Sequence, residues 1–74
     1  MTGKMSVLST RGHDEVTWTE DDTDKARRAF DAHLASGGAV VQTKPGPETQ
    51  IRAFPEPEKD TDVELIAFPQ IAGG

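Results

Sequence analysis

Hydrophobic and polar residues alternate along several short stretches of the chain, with the period of two that is typical of half-buried β-strands. In residues 63–68, for example, Val63, Leu65 and Ala67 fall on one face of the extended chain. Segments rich in glycine, proline and acidic residues separate these stretches, as expected for turns and loops. The pattern predicts five strands, at residues 6–10, 15–19, 39–43, 49–54 and 63–68.

The pattern changes to helical spacing between the second and third strands, where apolar residues recur every three or four positions from residue 26 to residue 34. Acidic residues crowd the start of this stretch, and Thr19 to Asp22 has the spacing of a capping box. Gly37 and Gly38 follow the stretch and can supply a left-handed C-terminal cap. The spacing therefore predicts one helix over residues 21–36.

The order strand-strand-helix-strand-strand-strand predicts an α+β fold, with one helix packed on a small mixed sheet of four to five strands. A chain of 74 residues allows one domain at most. We expect a flexible N-terminus at residues 1–4, a single domain at residues 5–68 and a projecting tail at residues 69–74. The predicted core consists of Val7, Val16, Trp18, Ala26, Phe30, Leu34, Val40, Ile51, Val63 and Leu65.

Charge and composition narrow the classes of partner. The formal net charge is -5, and an acidic surface repels both phosphate backbones and anionic membranes, so we expect neither nucleic acid nor a membrane as partner. No apolar run approaches the roughly 20 residues of a membrane span, and the first five residues lack the apolar stretch of a signal peptide. These features predict a cytoplasmic protein.

Residue types that carry catalysis are scarce, and we expect no enzymatic activity. The chain has no cysteine, and none of its serines has a histidine and an acid in a plausible arrangement. His13 follows a predicted turn glycine beside Asp14, which faintly suggests a metal or acid-base site, but an exposed turn histidine is more often inert. His33 is expected to be a partly buried packing residue or a partner of the helix dipole.

Two groups of charged residues have simpler interpretations than a binding site. The helix carries three cations that we expect to face water and pair with nearby aspartates. The loop before the last strand is acidic and could attract a divalent cation, but it lacks the spacing of a calcium loop, so no metal is predicted. The cations are Lys25, Arg27 and Arg28, with Asp21, Asp24 and Asp31 as partners, and the loop acids are Glu56, Glu58, Asp60 and Asp62.

The most specific feature is the segment after the last strand. Pro69 cannot extend a strand ladder, and the residues that follow it are small and end in Gly73 and Gly74. Because two glycines carry no side chains, such an end can enter a narrow channel and bring its carboxylate to the active site of a partner. The competing interpretation is an unstructured terminus without function.

Two resemblances bear on this tail. The order of elements resembles the β-grasp fold of ubiquitin. The ending at residues 68–74 resembles the tail of the molybdopterin synthase small subunit and its sulfur-carrier relatives, which typically ends Phe-Pro-Pro-Val-Ala-Gly-Gly, and Gln70 stands in place of the second proline. The preceding residues 62–67 resemble the strand that leads into that tail.

The resemblance implies a role and a set of residues. In that family an activating enzyme uses ATP to adenylate the terminal carboxylate, which then becomes a thiocarboxylate that donates sulfur. Carried over to this chain, Gly74 would be the carrier terminus and Gly73 the neighbour that fits the channel, with Phe68, Ile71 and Ala72 as docking contacts. No cofactor would be bound, because ATP is used by the partner. Conjugation to a target amine, as in ubiquitin, fits the same tail.

A second hypothesis is a small structural or accessory subunit of a larger assembly, such as a phage virion. The sequence is also similar to small proteins of high-GC actinobacteria and their phages, several of which end in Ala-Gly-Gly. In this case the tail is a strap along a neighbour, and docking uses strand addition at a sheet edge. The two hypotheses differ in the unbound state, since a carrier needs a free tail and a strap makes many ordered contacts.

Overall fold

A computed structural model describes residues 1–9, 12–56 and 60–69 of the chain. The described elements follow one another in the predicted order, two strands before a helix and three after it. Their bounds are β1 (Thr2–Ser9), β2 (Gly12–Thr19), α1 (Asp24–Ala35), β3 (Ala39–Lys44), β4 (Thr49–Ile51) and β5 (Val63–Phe68).

The strands form one mixed sheet in the order β2-β1-β5-β3-β4. β1 and β5 run parallel at its centre, and the other neighbouring strands are antiparallel. The helix α1 packs across one face of this sheet, against β2 and β3. These observations confirm the predicted fold class, one helix on a small mixed sheet, with five strands.

The start of the chain belongs to the sheet, so the predicted flexible N-terminus at residues 1–4 is wrong. β1 begins at Thr2, and Met5 is completely buried. The alternation is hidden in the sequence because the first inward position of β1 is Gly3, which has no side chain to signal burial. Gly3 pairs with Trp18 on β2, and a Cβ atom added to Gly3 would overlap the indole ring. The glycine therefore makes room for the largest side chain of the core.

The helix begins at Asp24, three residues later than expected, because the capping residue is not Thr19. The N-cap is Thr23, and its side chain makes no capping hydrogen bond. The backbone carbonyl of Thr19 instead accepts a hydrogen bond from the N–H of Asp22 at 3.1 Å, which closes a turn after β2. The predicted capping box is therefore wrong.

The C-terminal cap of the helix is confirmed. Gly37 has a φ of +95°, in the left-handed region that favours glycine. Its N–H donates to the carbonyl of Leu34 at 3.0 Å, and the N–H of Gly38 donates to the carbonyl of His33 at 3.1 Å. This pair of bonds is a Schellman motif, which satisfies carbonyls that the last turn would leave without partners.

The core lies between α1 and the sheet. Six of the ten predicted core residues are buried, while Val7, Val16, Leu34 and Ile51 are half-buried and pack against the others. Two residues absent from the predicted core list, Met5 and Phe54, are buried as well, and so is Ala67 on the predicted inward face of β5. The six confirmed residues are Trp18, Ala26, Phe30, Val40, Val63 and Leu65.

Phe54 enters the core because the strand that was predicted to contain it ends early. β4 stops at Ile51, and the chain then turns Phe54 inwards. Its ring centroid lies 5.3 Å from that of Trp18 and 5.6 Å from that of Phe30, the latter in an edge-to-face arrangement. Aromatic pairs in such geometries contribute about 0.5–1.5 kcal/mol beyond the area they bury. Three distant parts of the chain therefore meet in one aromatic cluster.

The cations of the helix do not form the predicted pairs with Asp21, Asp24 and Asp31. Among the described residues, the ion pairs are Lys44 Nζ with Glu64 Oε2 at 3.1 Å and the amino group of Met1 with Glu20 at 3.8 Å. The guanidinium of Arg27 lies 5.1 Å from the centroid of the Phe54 ring. Such a contact is worth about 0.5–1 kcal/mol at an exposed site, and it closes the outer side of the aromatic cluster.

We expect Gly3→Ala to lower the free energy of unfolding by about 1–3 kcal/mol, the usual cost of overpacking a core. The new methyl group would displace the indole of Trp18, whereas Lys4→Ala changes the next residue of β1 on the exposed side. Urea unfolding followed by the fluorescence of Trp18, the one tryptophan of the chain, measures both variants. Equal stability of the two variants would contradict the close approach at Gly3.

We also expect Phe54→Leu to destabilise the fold by about 1–3 kcal/mol, because it opens a gap in the aromatic cluster. The matched control is Phe68→Leu, the same substitution on a side chain that is 40% exposed, which should change the stability by less than about 0.5 kcal/mol. Thermal unfolding by circular dichroism compares them. A larger loss at Phe68 than at Phe54 would overturn this assignment of the core.

Candidate functional site

The face of the sheet opposite α1 carries an apolar patch at the end where β5 stops. Along each strand the side chains alternate between the two faces, so the strand register determines which residues share this face. Ile66 pairs with Val41 on β3, and Phe68 pairs with Ala39 two residues further on. Leu8 lies on the same face of β1, two residues beyond Ser6, the partner of Ile66. We call Leu8, Val41, Ile66 and Phe68 the open-face patch.

Phe68 is the most exposed member of the open-face patch. Among the described large hydrophobic residues, Phe68 is the exposed one, with 40% of its surface accessible to solvent. Leu8, Val41 and Ile66 are half-buried. Exposed aromatic residues are enriched in protein–protein interfaces, where they fill pockets of a partner. Phe68 is also the one predicted docking residue that lies within the described part of the chain.

The backbone at Phe68 is held by the helix. His33 Nε2 lies 2.6 Å from the carbonyl oxygen of Phe68, and because a carbonyl only accepts, this ring nitrogen carries the proton and donates. The ring of His33 covers Gly38, where an added Cβ atom would overlap it. His33 is thus a partly buried packing residue, as predicted, and it also ties the last turn of the helix to the last residue of β5. The sequence offers no signal for this bond, because it joins residues 35 positions apart.

The remaining predicted tail residues lie outside the described part of the chain. Pro69 is described, is exposed and does not belong to a strand, as predicted from its missing N–H. Ile71, Ala72, Gly73 and Gly74 are among the residues that are not described. The structure therefore gives the point at which the tail begins, at the end of β5 beside the open-face patch.

A groove of about 720 Å³ lies at the opposite end of the sheet. It includes the Lys44–Glu64 ion pair, the exposed Lys4 and the start of β1 and β5. Threonines of β1 and β2, at positions 2, 17 and 19, also line it, together with Trp18 and Val63. The groove carries both signs of charge, which the open-face patch on the same sheet does not.

Asp62 connects the loop before β5 to the start of β1. Its Oδ1 accepts hydrogen bonds from the backbone N–H of Thr2 at 3.0 Å and from the Thr2 hydroxyl at 3.1 Å. These two bonds stabilise the charged carboxylate and lower the pKa of Asp62 below its ordinary value of 3.8. Asp62 therefore has a structural role, which the sequence did not predict, in aligning the two parallel central strands.

The other charged residues that the sequence offered as candidates do not form a common site in the described part of the chain. His13 lies on β2 opposite Leu8 and is exposed, rather than in a turn. Glu56 and Asp60 are exposed, and Glu58 lies outside the described residues. Within residues 1–9, 12–56 and 60–69, no three histidine or acidic side chains converge as a metal site would require.

The described helix is too short and too polar to cross a bilayer.

The chain was compared with protein-family models, with curated proteins and with solved structures, and nothing matches in any of the three comparisons.

The lowered pKa of Asp62 predicts a pH dependence of stability. A carboxylate with a depressed pKa in the folded state stabilises the fold above its ordinary value, and this contribution is lost as the pH falls through the folded-state pKa. We therefore expect the stability advantage of the natural chain over Asp62→Asn to shrink as the pH falls below 3.8.

Urea unfolding at a series of pH values measures this difference. Asp60→Asn removes the same charge from the same loop without touching Thr2 and serves as the matched control. If the advantage over Asp62→Asn stays constant down to the lowest pH at which the chain folds, the two bonds from Thr2 do not depend on the charge of Asp62.

Proposed function

We propose that this chain is a non-catalytic carrier or modifier protein that acts through its C-terminal Gly73 and Gly74, either as a sulfur carrier or as a conjugated tag. The observation that carries the proposal is the position of Phe68. It ends the central strand β5, its carbonyl is held by His33, and its side chain stands exposed on the open-face patch. A partner can therefore hold the root of the tail while the residues beyond it reach an active site.

The strand order supports this proposal. A parallel β1–β5 pair at the centre, with the β1–β2 hairpin on one side and β3–β4 on the other, fits the β-grasp arrangement that the sequence resembles. In this order the last strand lies between two others along its length. The domain can therefore stay folded while the tail engages a partner, since β5 ends at Phe68 and is paired on both sides up to Ala67.

The exposed patch supports the same proposal on energetic grounds. Phe68 is 40% exposed, and burying the exposed part of its ring in a partner contributes about 1 kcal/mol, the corresponding fraction of the gain from fully burying such a side chain. Leu8, Val41 and Ile66 surround it with a half-buried apolar rim. Because this surface begins where the tail begins, recognition of the domain and presentation of its terminus would be coupled.

The chemistry follows from the carboxylate. In the activating step a carboxylate oxygen of Gly74 attacks the α-phosphorus of ATP, which forms an acyl-adenylate and releases pyrophosphate. Hydrosulfide, as the sulfur donor, or a target amine then attacks the carbonyl carbon and displaces AMP, leaving a thiocarboxylate or an amide. Both steps take place in the partner, so this chain supplies only the terminus and the surface that orients it.

Mass spectrometry of the chain isolated from its source tests the proposal first. We expect the intact chain to end at Gly74 and a fraction of it to carry either the mass gain of sulfur replacing oxygen or a covalent amide to another protein. A chain that extends past Gly74, or that ends there unmodified under all growth conditions, would contradict the proposal.

Pyrophosphate release in the presence of ATP and an activating enzyme from the same source tests the roles of Gly74 and Phe68. We expect deletion of Gly74 to abolish release and Phe68→Ala to raise KM about tenfold or more with little change in kcat, because the ring binds without reacting. The matched control is Lys25→Ala, an exposed residue on the helix, which should leave both constants unchanged. Release that survives the deletion of Gly74 would rule out the carrier function.

The long outer edge of β2 favours a second candidate function, an accessory subunit of a larger assembly such as a virion. Docking through a sheet edge needs a strand of sufficient length, and β2 offers eight residues. Sedimentation of native extracts distinguishes the candidates, because a subunit should travel with a particle and a carrier should travel as a small protein.

A further inference from the structure

β2 is a long edge strand for so small a sheet, because it pairs with β1 on one side and has a free outer side among the described residues. β2 is the first strand in the order, and its eight residues pair with β1 from Thr2–Thr19 to Ser9–Gly12. Within the described residues no strand lies on its other side. The opposite edge, β4, has only three residues. Because alternate backbone groups of an edge strand point outwards, β2 presents a row of donors and acceptors that a further strand can use.

This edge is also uniformly acidic. The eleven residues from Gly12 to Asp22 contain five carboxylates and neither lysine nor arginine. All five are exposed, two on β2 itself and three in the turn that follows it. They are Asp14, Glu15, Glu20, Asp21 and Asp22. Among the nearby cations, Lys4 lies on β1, Arg27 lies against the ring of Phe54, and the amino group of Met1 lies 3.8 Å from Glu20.

The charge decides which occupant the edge can accept. Two copies of this chain that paired through β2 would bring four carboxylates together along one ladder, Asp14 and Glu15 of each copy, and like charges across a strand pair are destabilising. Charged side chains on an edge are a common means of preventing such self-association. The same carboxylates would attract an extended segment that carries lysine or arginine, since the backbone bonds and the charges then favour the same pairing.

We propose that the outer edge of β2 binds an extended, basic segment of a partner protein by strand addition. The segment continues the sheet beyond β2, and its backbone groups pair with those that β2 turns outwards. Its lysines or arginines lie next to Glu15 on the helix-free face, and its apolar residues lie beside Val16 on the other face, where Asp14 adds to the negative charge of the edge. This site is separate from Phe68 and the tail and does not depend on the carrier function; it is the edge that the second candidate function would also use.

An eight-residue peptide that alternates lysine with valine, acetylated and amidated at its ends, is the probe. We expect its titration into the isotope-labelled chain at low salt to shift the backbone amide signals of β2 and to protect those that face outwards from hydrogen exchange. Signals of β4 and of Phe68 should not move. Raising the salt concentration from about 50 mM to about 500 mM should weaken binding roughly tenfold, because exposed charges are screened.

Two control peptides separate the contributions of charge and backbone. Replacing every lysine by glutamate should abolish binding. Methylating the backbone nitrogens of alternate residues keeps every charge but removes the donors along one edge, and it should weaken binding about tenfold or more if a strand is added. Equal binding of the methylated peptide would overturn the proposal, because it would leave only non-specific attraction between charges.

Paired variants of the protein complete the test. Asp14→Asn combined with Glu15→Gln should weaken binding of the lysine peptide several-fold. Glu48→Gln combined with Glu56→Gln removes two exposed charges near β4 and should leave the affinity unchanged. The proposal would be overturned if both double variants lost the same affinity for the lysine peptide. It would also be overturned if the amide signals of β2 did not shift at millimolar peptide, or if this chain formed dimers through β2. Tail deletions that abolish carrier activity leave this measurement unaffected, so the two proposals fail independently.

Discussion

The parallel pairing of β1 with β5 is the constraint on which the rest of this fold depends. It joins the first and last described strands of the chain, from Gly3–Val63 to Val7–Ala67. Neighbouring parallel strands cannot be joined by a tight turn, so the intervening chain must cross from one side of the pair to the other. The β1–β2 hairpin extends the sheet on one side, α1 crosses the face, and β3 and β4 extend it on the other. The two bonds from Thr2 to Asp62 align this pair at its start.

The parallel pairing of β1 with β5 also determines where the exposed surfaces of the sheet lie. Since β1 and β5 occupy the centre, the end of β5 lies inside the sheet rather than at its margin, and the tail leaves beside the open-face patch. The hairpin leaves β2 as a long outer edge, and its acidic sequence determines what can pair with it. The open-face patch and the acidic outer edge of β2 thus lie at different parts of one small sheet. Each can be occupied without unfolding the domain, because neither lies in the core.

Sequence reasoning located the elements well and some of their ends poorly. The alternation in β5 and the helical spacing from Ala26 to Leu34 predicted the element types, since both periods depend on the local chain alone. The start of β1 was missed because Gly3 carries no side chain to report its burial. Phe54 was assigned to a strand because its β-propensity is high, whereas packing against Trp18 and Phe30 decided its position. For the candidate site, only Phe68 was predicted among the described members of the open-face patch.

The sequence by itself determined the type and order of the elements, the inward face of β5, the cap at Gly37 and the acidity of the β2 edge. These properties follow from residue type and spacing over a few positions, for which no distant contact is needed. Only the tertiary structure decided which strands are neighbours, which side chain fills the space above Gly3 and which group holds the carbonyl of Phe68. These contacts join residues up to 60 positions apart, and their geometry depends on how α1 and the sheet pack together, which no local pattern records.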